Sequence, residues 1–479
     1  MTTFANAVDN QTARILAAAR TTNGMKARAS TADSCTDLFF QIGAMRGKNI
    51  VPAFVAAYVQ NPELATRIAL WARDARGGAG ERKIFRDILG YLSQNNQEFA
   101  TRVARKLPEL GRWDDVFALS GESRQVGFEL VREALAKDNA LAAKWMPRKG
   151  KGAAELRSYL GMTPKQYRKT LVNLTKVVET QMCAKDWDNI NFNHVPSVAS
   201  ARYKKAFGRH TTKYADWVQK LVKGDPTAKV NAGAVYPYDV LKGLVSHRVN
   251  MNYDKTQLDH INAQWNALPN YVGDANILPV VDVSGSMTTS YSSNKNLGTL
   301  TPLDVAVSLG LYLADKNMGV FKDVFLTFSE RPELLHLWGN ILDKINQMVR
   351  SKWGMSTNLH IAIEKILATA IDGQVSPDEM PKMLLILSDM QFNMCVRYDD
   401  SAIEMIRRKY DRAGYNMPHI VFWNLNAHDN TPVKFNERGV ALVSGFSPSI
   451  VKSILSGDME QFTPEAIMLK AVMQDRYAF

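Results

Sequence analysis

Three cysteines in 479 residues, Cys35, Cys183 and Cys395, are too few and too widely spaced for a disulfide framework or a zinc cluster. No apolar run approaches the ~20 residues that a membrane span needs. Met1 to Asn10 lacks the basic start and apolar core of a secretory leader. These absences predict a cytoplasmic protein that does not enter a membrane. A phosphate-binding Gly-x-x-x-x-Gly-Lys-Ser/Thr loop is also missing, because Gly77-Gly-Ala-Gly80-Glu-Arg82 has neither the spacing nor a preceding strand. It reads as a turn between helices, with Arg76 and Arg82 placed to face phosphate. His194, His210, His247 and His260 sit at no metal-ligand spacing.

Acidic residues are scarce in one half only. The chain carries a net charge of +12, yet residues 1–250 hold 39 Lys and Arg against 22 Asp and Glu, while residues 251–479 hold 20 against 25. A one-sided excess of that size attracts polyanions and raises their encounter rate. A few lysines on a helix would need no such explanation.

What is present in the first half has helical periodicity and almost no strand signal. Helices are expected over 37–45 and 51–58. Another should start at Pro62, capped by Asn61, with Leu64, Ile68 and Trp71 on one face. Further short helices follow over 81–91, 97–107 and 113–119. Antiparallel pairs of this kind, each unable to bury its face alone, predict an irregular, HEAT-like α-solenoid without a fixed period.

Residues 144–213 are the basic centre of that half. Lys144, Arg148, Lys149, Lys151, Arg157, Lys165, Arg168, Lys169, Lys204, Lys205 and Arg209, among others, face only Glu155, Glu179, Asp186 and Asp188. Trp145, Tyr159, Tyr167, Trp187, Phe192, Tyr203 and Phe207 are interleaved with them. Phosphate neutralisation plus stacking is the recipe of a nucleic-acid surface. Tyr203 and Phe207, four apart on one helix, read as core, so the charges carry the expectation more than the rings do. Arg76, Arg82, Lys144, Arg148, Lys149, Lys151, Arg168, Lys169, Lys204, Lys205 and Arg209 are the expected nucleic-acid contacts.

The second half alternates strands and helices. A buried strand, Ile277 to Val281, delivers Asp282, Ser284 and Ser286 into the loop that follows. One carboxylate and two hydroxyls at alternate positions outline an oxygen site for a hard cation with room for an outside ligand. Thr301-Pro302-Leu-Asp304 opens a helix with Thr as cap, Pro in the first turn and Asp three residues on. Strands are expected at 323–328, 383–389, 419–424 and 439–444, an antiparallel edge at 334–338, and helices at 341–350, 358–370, 401–413 and 464–472. This is the pattern of a doubly wound parallel sheet, which binds ligands at the carboxyl ends of its strands.

Asp282-Val-Ser284-Gly-Ser286 after an apolar strand resembles the metal-ion-dependent adhesion site of von Willebrand factor A domains. That resemblance implies two further ligands, Thr357 on a second loop and Asp389 closing a third strand. It also implies Mg2+ or Mn2+ held directly by the serines and largely through water by the aspartates. Met355-Ser356-Thr357-Asn358 departs from the usual neighbours of the threonine. In the first half, Trp71-Ala-Arg73-Asp74-Ala-Arg76-Gly77, Gly111-Arg112-Trp113-Asp114-Asp115, Lys144-Trp145-Met-Pro147 and Val195-Pro196-Ser197 resemble the helical module of TROVE-like proteins. A helical module followed by an A domain is similar to the Ro autoantigen family, whose helical repeats form a ring that binds single-stranded ends of structured and misfolded RNAs.

The sequence therefore predicts α plus α/β architecture: a basic helical module over 1–250 that could close into a ring, a connector over 251–270, and an A domain over 271–479. The function it predicts is non-enzymatic RNA binding by a monomeric ribonucleoprotein, with Mg2+ or Mn2+ completing a contact to a partner. The alternatives are a metal-dependent protein scaffold or a single-stranded DNA binder. A metal-dependent nuclease is less well supported, since one metal position is evident and no general base is paired with it.

Overall fold

A computed structural model describes residues 18–21, 26–245, 253–289, 291, 300–328, 331–351, 359–392, 402–428, 430–457 and 460–479. The chain forms two compact units, one of residues 1–68, 236–251 and 270–474, the other of 69–235, 252–269 and 475–479. Contacts thus draw a different line from a single cut near residue 250. The architecture at large is the expected one, helices first and then a mostly parallel sheet flanked by helices.

The sheet unit holds six strands: β3 (Ile277–Asp282), β4 (Val324–Phe328), β5 (Glu333–His336), β6 (Met383–Ser388), β7 (His419–Asn424) and β8 (Val440–Ser444). Their order is β5-β4-β3-β6-β7-β8, parallel throughout except that β5 runs antiparallel to β4 as the outer strand. Every residue of β3, β6 and β8 is buried, as strands covered on both faces must be. Val280 sits beside Leu326 on one side and Ile386 on the other, so the strand bearing Asp282 is central. The helix Pro302–Lys316 starts with the expected reciprocal cap between Thr301 and Asp304 and lies on β3. Its Gly310 allows this approach, since a Cβ there would stand 2.4 Å from Val281 Cγ2 and 2.6 Å from Phe325 Cε2.

Two helices expected in the solenoid belong to this unit instead. Ser34–Ile42 buries Cys35, Leu38, Phe39, Phe40 and Ile42 and packs on β8 beside Val51–Gln60. The Ser444 hydroxyl donates to the Phe39 carbonyl at 2.8 Å and accepts from the Gly43 N–H at 2.9 Å. A helix buried over that much of its surface needs cover on more than one side, and a second solenoid helix would supply only one. Two short strands, β1 (Ala18–Arg20) and β2 (Lys26–Arg28), pair antiparallel in a region where no strand is expected.

The helical unit runs from the end of Pro62–Arg73 through short helices to Lys213–Val222. Lys83–Asn95 packs on Gln97–Ala104, which packs on Gly121–Ala136, in the neighbour-to-neighbour manner of irregular repeats. Trp113–Ala118 is a 3-10 helix, fixed by the buried Asp115, which accepts from Arg73 Nε and Arg86 Nε, each at 2.7 Å. The expected connector carries the helix Lys255–Asn266, which packs on Ser197–His210 and Lys213–Val222. Ile261 and Trp265, four apart, are its buried apolar stripe, and Leu268 is buried just past its end. Phe192, Phe207, Tyr214 and Trp217 form the aromatic core beside it.

Candidate functional sites

In the sheet unit, β3 and β6 run side by side and parallel, so their carboxyl ends bring Asp282, Ser388 and Asp389 to one edge. Asp282 is fully buried; it accepts from the Ser284 N–H at 2.9 Å and from the Ser388 hydroxyl at 2.6 Å. Ser284 Oγ and Ser286 Oγ lie 3.2 Å apart. Asp389, also buried, accepts from the Gln391 N–H at 3.2 Å, and His428 Nε2 stands 3.9 Å from its outer oxygen. Burial, and then the charge of Asp389, push the Asp282 carboxyl up to about 7, and burial raises Asp389 as well. Two neighbouring carboxylates removed from water are costly unless a proton or a cation balances them. The carboxylate and hydroxyl oxygens are the nearest donors, with the His428 imidazole beyond hydrogen-bond reach, and such a set fits a hard divalent ion. Among the described residues no group of three His, Cys, Asp or Glu forms a metal cluster, so a cation here would depend on the hydroxyls and water. Thr357 lies outside the described residues.

In the helical unit the expected phosphate contacts divide. Arg148, Lys149 and Arg168 line one groove of about 770 Å³, together with Arg157, Lys165, Tyr167, Val172, Thr175 and Thr180, and among the described residues no carboxylate is part of its lining. Its walls are the helices Gly150–Tyr159 and Pro164–Leu174. Lys149 at the head of the first gives no side-chain cap, so the first N–H groups of that helix receive no acceptor from it. Arg148 donates to Thr175 Oγ1 at 3.0 Å, and burial lowers its guanidinium below the ordinary range. Tyr167 is core, with its hydroxyl donating to the Pro147 carbonyl at 3.0 Å and pushed up to about 12 by burial. Lys169 is exposed on the same helix as Arg168 without lining the groove.

The other expected contacts are placed differently. Lys204 is a correction: at 4% exposure its ammonium donates to the Ala201 carbonyl at 2.7 Å and cannot meet a phosphate. The spacing that put Lys204 beside Lys205 on a helix did not reveal which one faced inward. Lys205 lies over the Tyr253 ring at 4.7 Å, and Arg209 is exposed, bonded to its own helix at the Lys205 carbonyl. Lys144 is matched by Glu179 at 2.9 Å and is largely neutralised. Lys151 is exposed, 3.8 Å from Glu155. Arg76 and Arg82 are exposed on the Gly-rich turn, where Asp74 accepts from the Arg76 N–H at 2.9 Å. Part of the Arg82 side chain still reaches solvent, but its guanidinium is crowded by neighbouring atoms, and that loss of water, followed by the charges of Arg112, Arg73 and Arg86, depresses it to about 10.

Comparison with known proteins finds a curated relative, the uncharacterised protein L728 of Acanthamoeba polyphaga mimivirus, 30% identical over 514 residues, spanning 94% of this chain and 86% of that one. The chain belongs to the same family. Within it, residues 130–277 match a domain of unknown function, DUF2828, and residues 276–476 match a second, DUF7788. The family's first module thus contains the basic groove and its second contains Asp282 and Asp389. Among solved structures, the crystal structure of Deinococcus radiodurans RO (RSR) protein aligns over 92% of this chain and 93% of its own, at 14% identity and a TM-score of 0.37. That likeness is too loose to carry a function across.

Within this family member, sequence reasoning missed which cations act together. Arg157 and Lys165 join Arg148, Lys149 and Arg168 because a turn at Gly161, with φ of +64°, folds one helix back beside the next. The signal was present in Gly161 and the cap Thr163-Pro164, but the sharing of one groove needs the crossing of the two helices.

Proposed function

We propose that the chain is an RNA-binding protein that holds single-stranded RNA along the groove between Gly150–Tyr159 and Pro164–Leu174, with Mg2+ or Mn2+ at Asp282, Ser284, Ser286 and Asp389 in a separate role. The observation that carries the reading is the groove's lining: Arg148, Lys149, Arg157, Lys165 and Arg168 converge with no carboxylate among them. Concentrated cations are costly to fold unless a polyanion offsets their repulsion, and a backbone of regularly spaced phosphates does so while releasing counterions. The uncapped helix end adds N–H donors for one phosphate.

In the sheet unit, the cation would relieve the Asp282 and Asp389 repulsion and offer an open coordination position to an acidic group of a partner. The Ser284 and Ser286 hydroxyls would supply neutral ligands. We read this role as binding rather than hydrolysis, because the Asp282 and Asp389 pair outlines one metal position and a two-metal hydrolase needs a second.

The test is direct binding of the purified chain to single-stranded RNA, single-stranded DNA and an acidic polypeptide of equal charge. The reading expects the nucleic acids to bind, and Lys165→Glu with Arg168→Glu to abolish this in a folded protein. Equal binding of the polypeptide, insensitive to those substitutions, would favour a protein scaffold.

A further inference from the structure

The helix Gly150–Tyr159 has a second cavity on its other side, of about 550 Å³, within the ordinary range of small-ligand pockets. Trp145, Phe117 and Pro147 give it an apolar wall; Arg86, Arg124 and Lys151 bring cations, and Asp114 and Glu155 bring carboxylates. We propose that this pocket takes one nucleobase of the strand whose phosphates lie in the groove, an inference that rests on the RNA-binding reading.

The two cavities differ in the chemistry they offer. A groove with cations alone suits phosphates. A pocket where carboxylates balance the cations gains little from a phosphate, but it presents acceptors and donors together beside a flat apolar face. A nucleobase has that complement: ring N–H and amino donors, carbonyl and ring-nitrogen acceptors, and a π-face for stacking.

Three details prepare the site. The Arg112 guanidinium lies 3.6 Å from the centroid of the Trp145 ring and donates to Asp114, so the indole is held before any ligand arrives. Arg124 is tied to Glu155 Oε2 at 2.6 Å and to the Phe117 carbonyl at 2.7 Å, which fixes its guanidinium on the pocket wall. Gly152 lets the helix close on the pocket, since a Cβ there would meet the Phe117 ring at 3.0 Å.

The pocket and the groove are reached from the same end of the helix. Arg148 and Lys149 line one, Lys151 and Gly152 the other, and Gly150 between them, with φ of +85°, has open space where a side chain would stand. A strand crossing at Gly150 can therefore leave its backbone on the groove side and turn a base into the pocket.

The experiment compares a single-stranded RNA oligomer with an abasic ribose-phosphate oligomer of equal length and charge, using the full chain. Wild type is expected to bind the base-bearing oligomer about tenfold more tightly, the scale of a single base stacked on an aromatic ring. Trp145→Leu should remove that preference, and Trp145→Phe should restore most of it; circular dichroism checks the folding of each. The slope of affinity against salt should be the same for wild type and Trp145→Leu, because no phosphate contact is lost. Equal binding of both oligomers by wild type, or a preference that survives Trp145→Leu, overturns the pocket assignment and leaves the groove standing. If wild type binds neither oligomer, the RNA-binding reading falls and the pocket assignment with it.

Discussion

The Tyr214 hydroxyl lies 2.7 Å from Nδ1 of His260, and Ser200 Oγ lies 2.9 Å from Nε2 of the same ring. One neutral tautomer satisfies both contacts, with one ring nitrogen donating and the other accepting. Tyr214, Trp217 and the buried Lys204 surround an imidazole that is itself 1% exposed. Burial first, and then the charge of Lys204, lower His260 to about 3.

Because the folded-state value lies below the unfolded one, the unfolded chain binds the extra proton. This histidine's contribution to stability is therefore full above about pH 6.5 and falls as pH drops toward 3, by up to about 1.4 kcal/mol per pH unit. Asp282 works in the opposite sense, since its raised value favours the folded state at low pH and loses that contribution between about 4 and 7. Comparing His260→Gln with wild type isolates the first effect. Urea denaturation from pH 7.5 to 5 should show the stability gap between them narrowing as pH falls, and a gap constant with pH would contradict the buried neutral imidazole.

Gly43 sits against the β8 backbone, where an added Cβ would lie 2.5 Å from the Ser444 carbonyl carbon and oxygen. Neither backbone can retreat without breaking the Phe39 and Gly43 hydrogen bonds to Ser444. Gly43→Ala should therefore cost at least ~1–3 kcal/mol, the range of overpacking in a core. Thermal denaturation reads the loss as a lower melting temperature, and an unchanged one would mean that Ser34–Ile42 does not seat on β8 in solution.

Asp282→Asn separates the costs of the acid site from its use. Without divalent ions the substitution should be neutral or stabilising, because it removes a fully buried carboxylate that faces Asp389. Millimolar Mg2+ or Mn2+ should raise the melting temperature of wild type by mass action and leave Asp282→Asn unmoved. The cation's apparent affinity should rise with pH through about 7, where it stops competing with the proton on Asp282. Equal shifts in both proteins would place the metal elsewhere.

The sheet was legible in the sequence because each of its elements is specified locally. Ile277–Val281 is apolar throughout and delivers Asp282 into a polar loop, and Pro302–Lys316 carries its cap in Thr301, Pro302 and Asp304. Asp282 and Asp389 could be placed together because parallel strands put their carboxyl ends on one edge. The allegiance of Ser34–Ile42 was not legible, since its apolar periodicity says only that it is buried and not against what. Lys204 failed for a related reason: one residue separates an exposed face from a buried one on a helix, and only its contacts with Ala201 and the Tyr253 ring decide. The second pocket had no sequence signature, because it is assembled from Arg86, Phe117, Trp145 and Glu155 on four separate elements.

The central claim is that phosphates lie in the groove between Gly150–Tyr159 and Pro164–Leu174, and the salt dependence of RNA binding tests it most directly. Lys165→Gln with Arg168→Gln removes two exposed cations from the lining, while Lys470→Gln removes an exposed one in the sheet unit. Each phosphate contact with a single strand contributes about 0.7 to the slope of log affinity against log salt, so the double variant should lose about 1.4 of that slope. Lys470→Gln should keep the wild-type slope. A double variant with the wild-type slope and affinity would contradict the account.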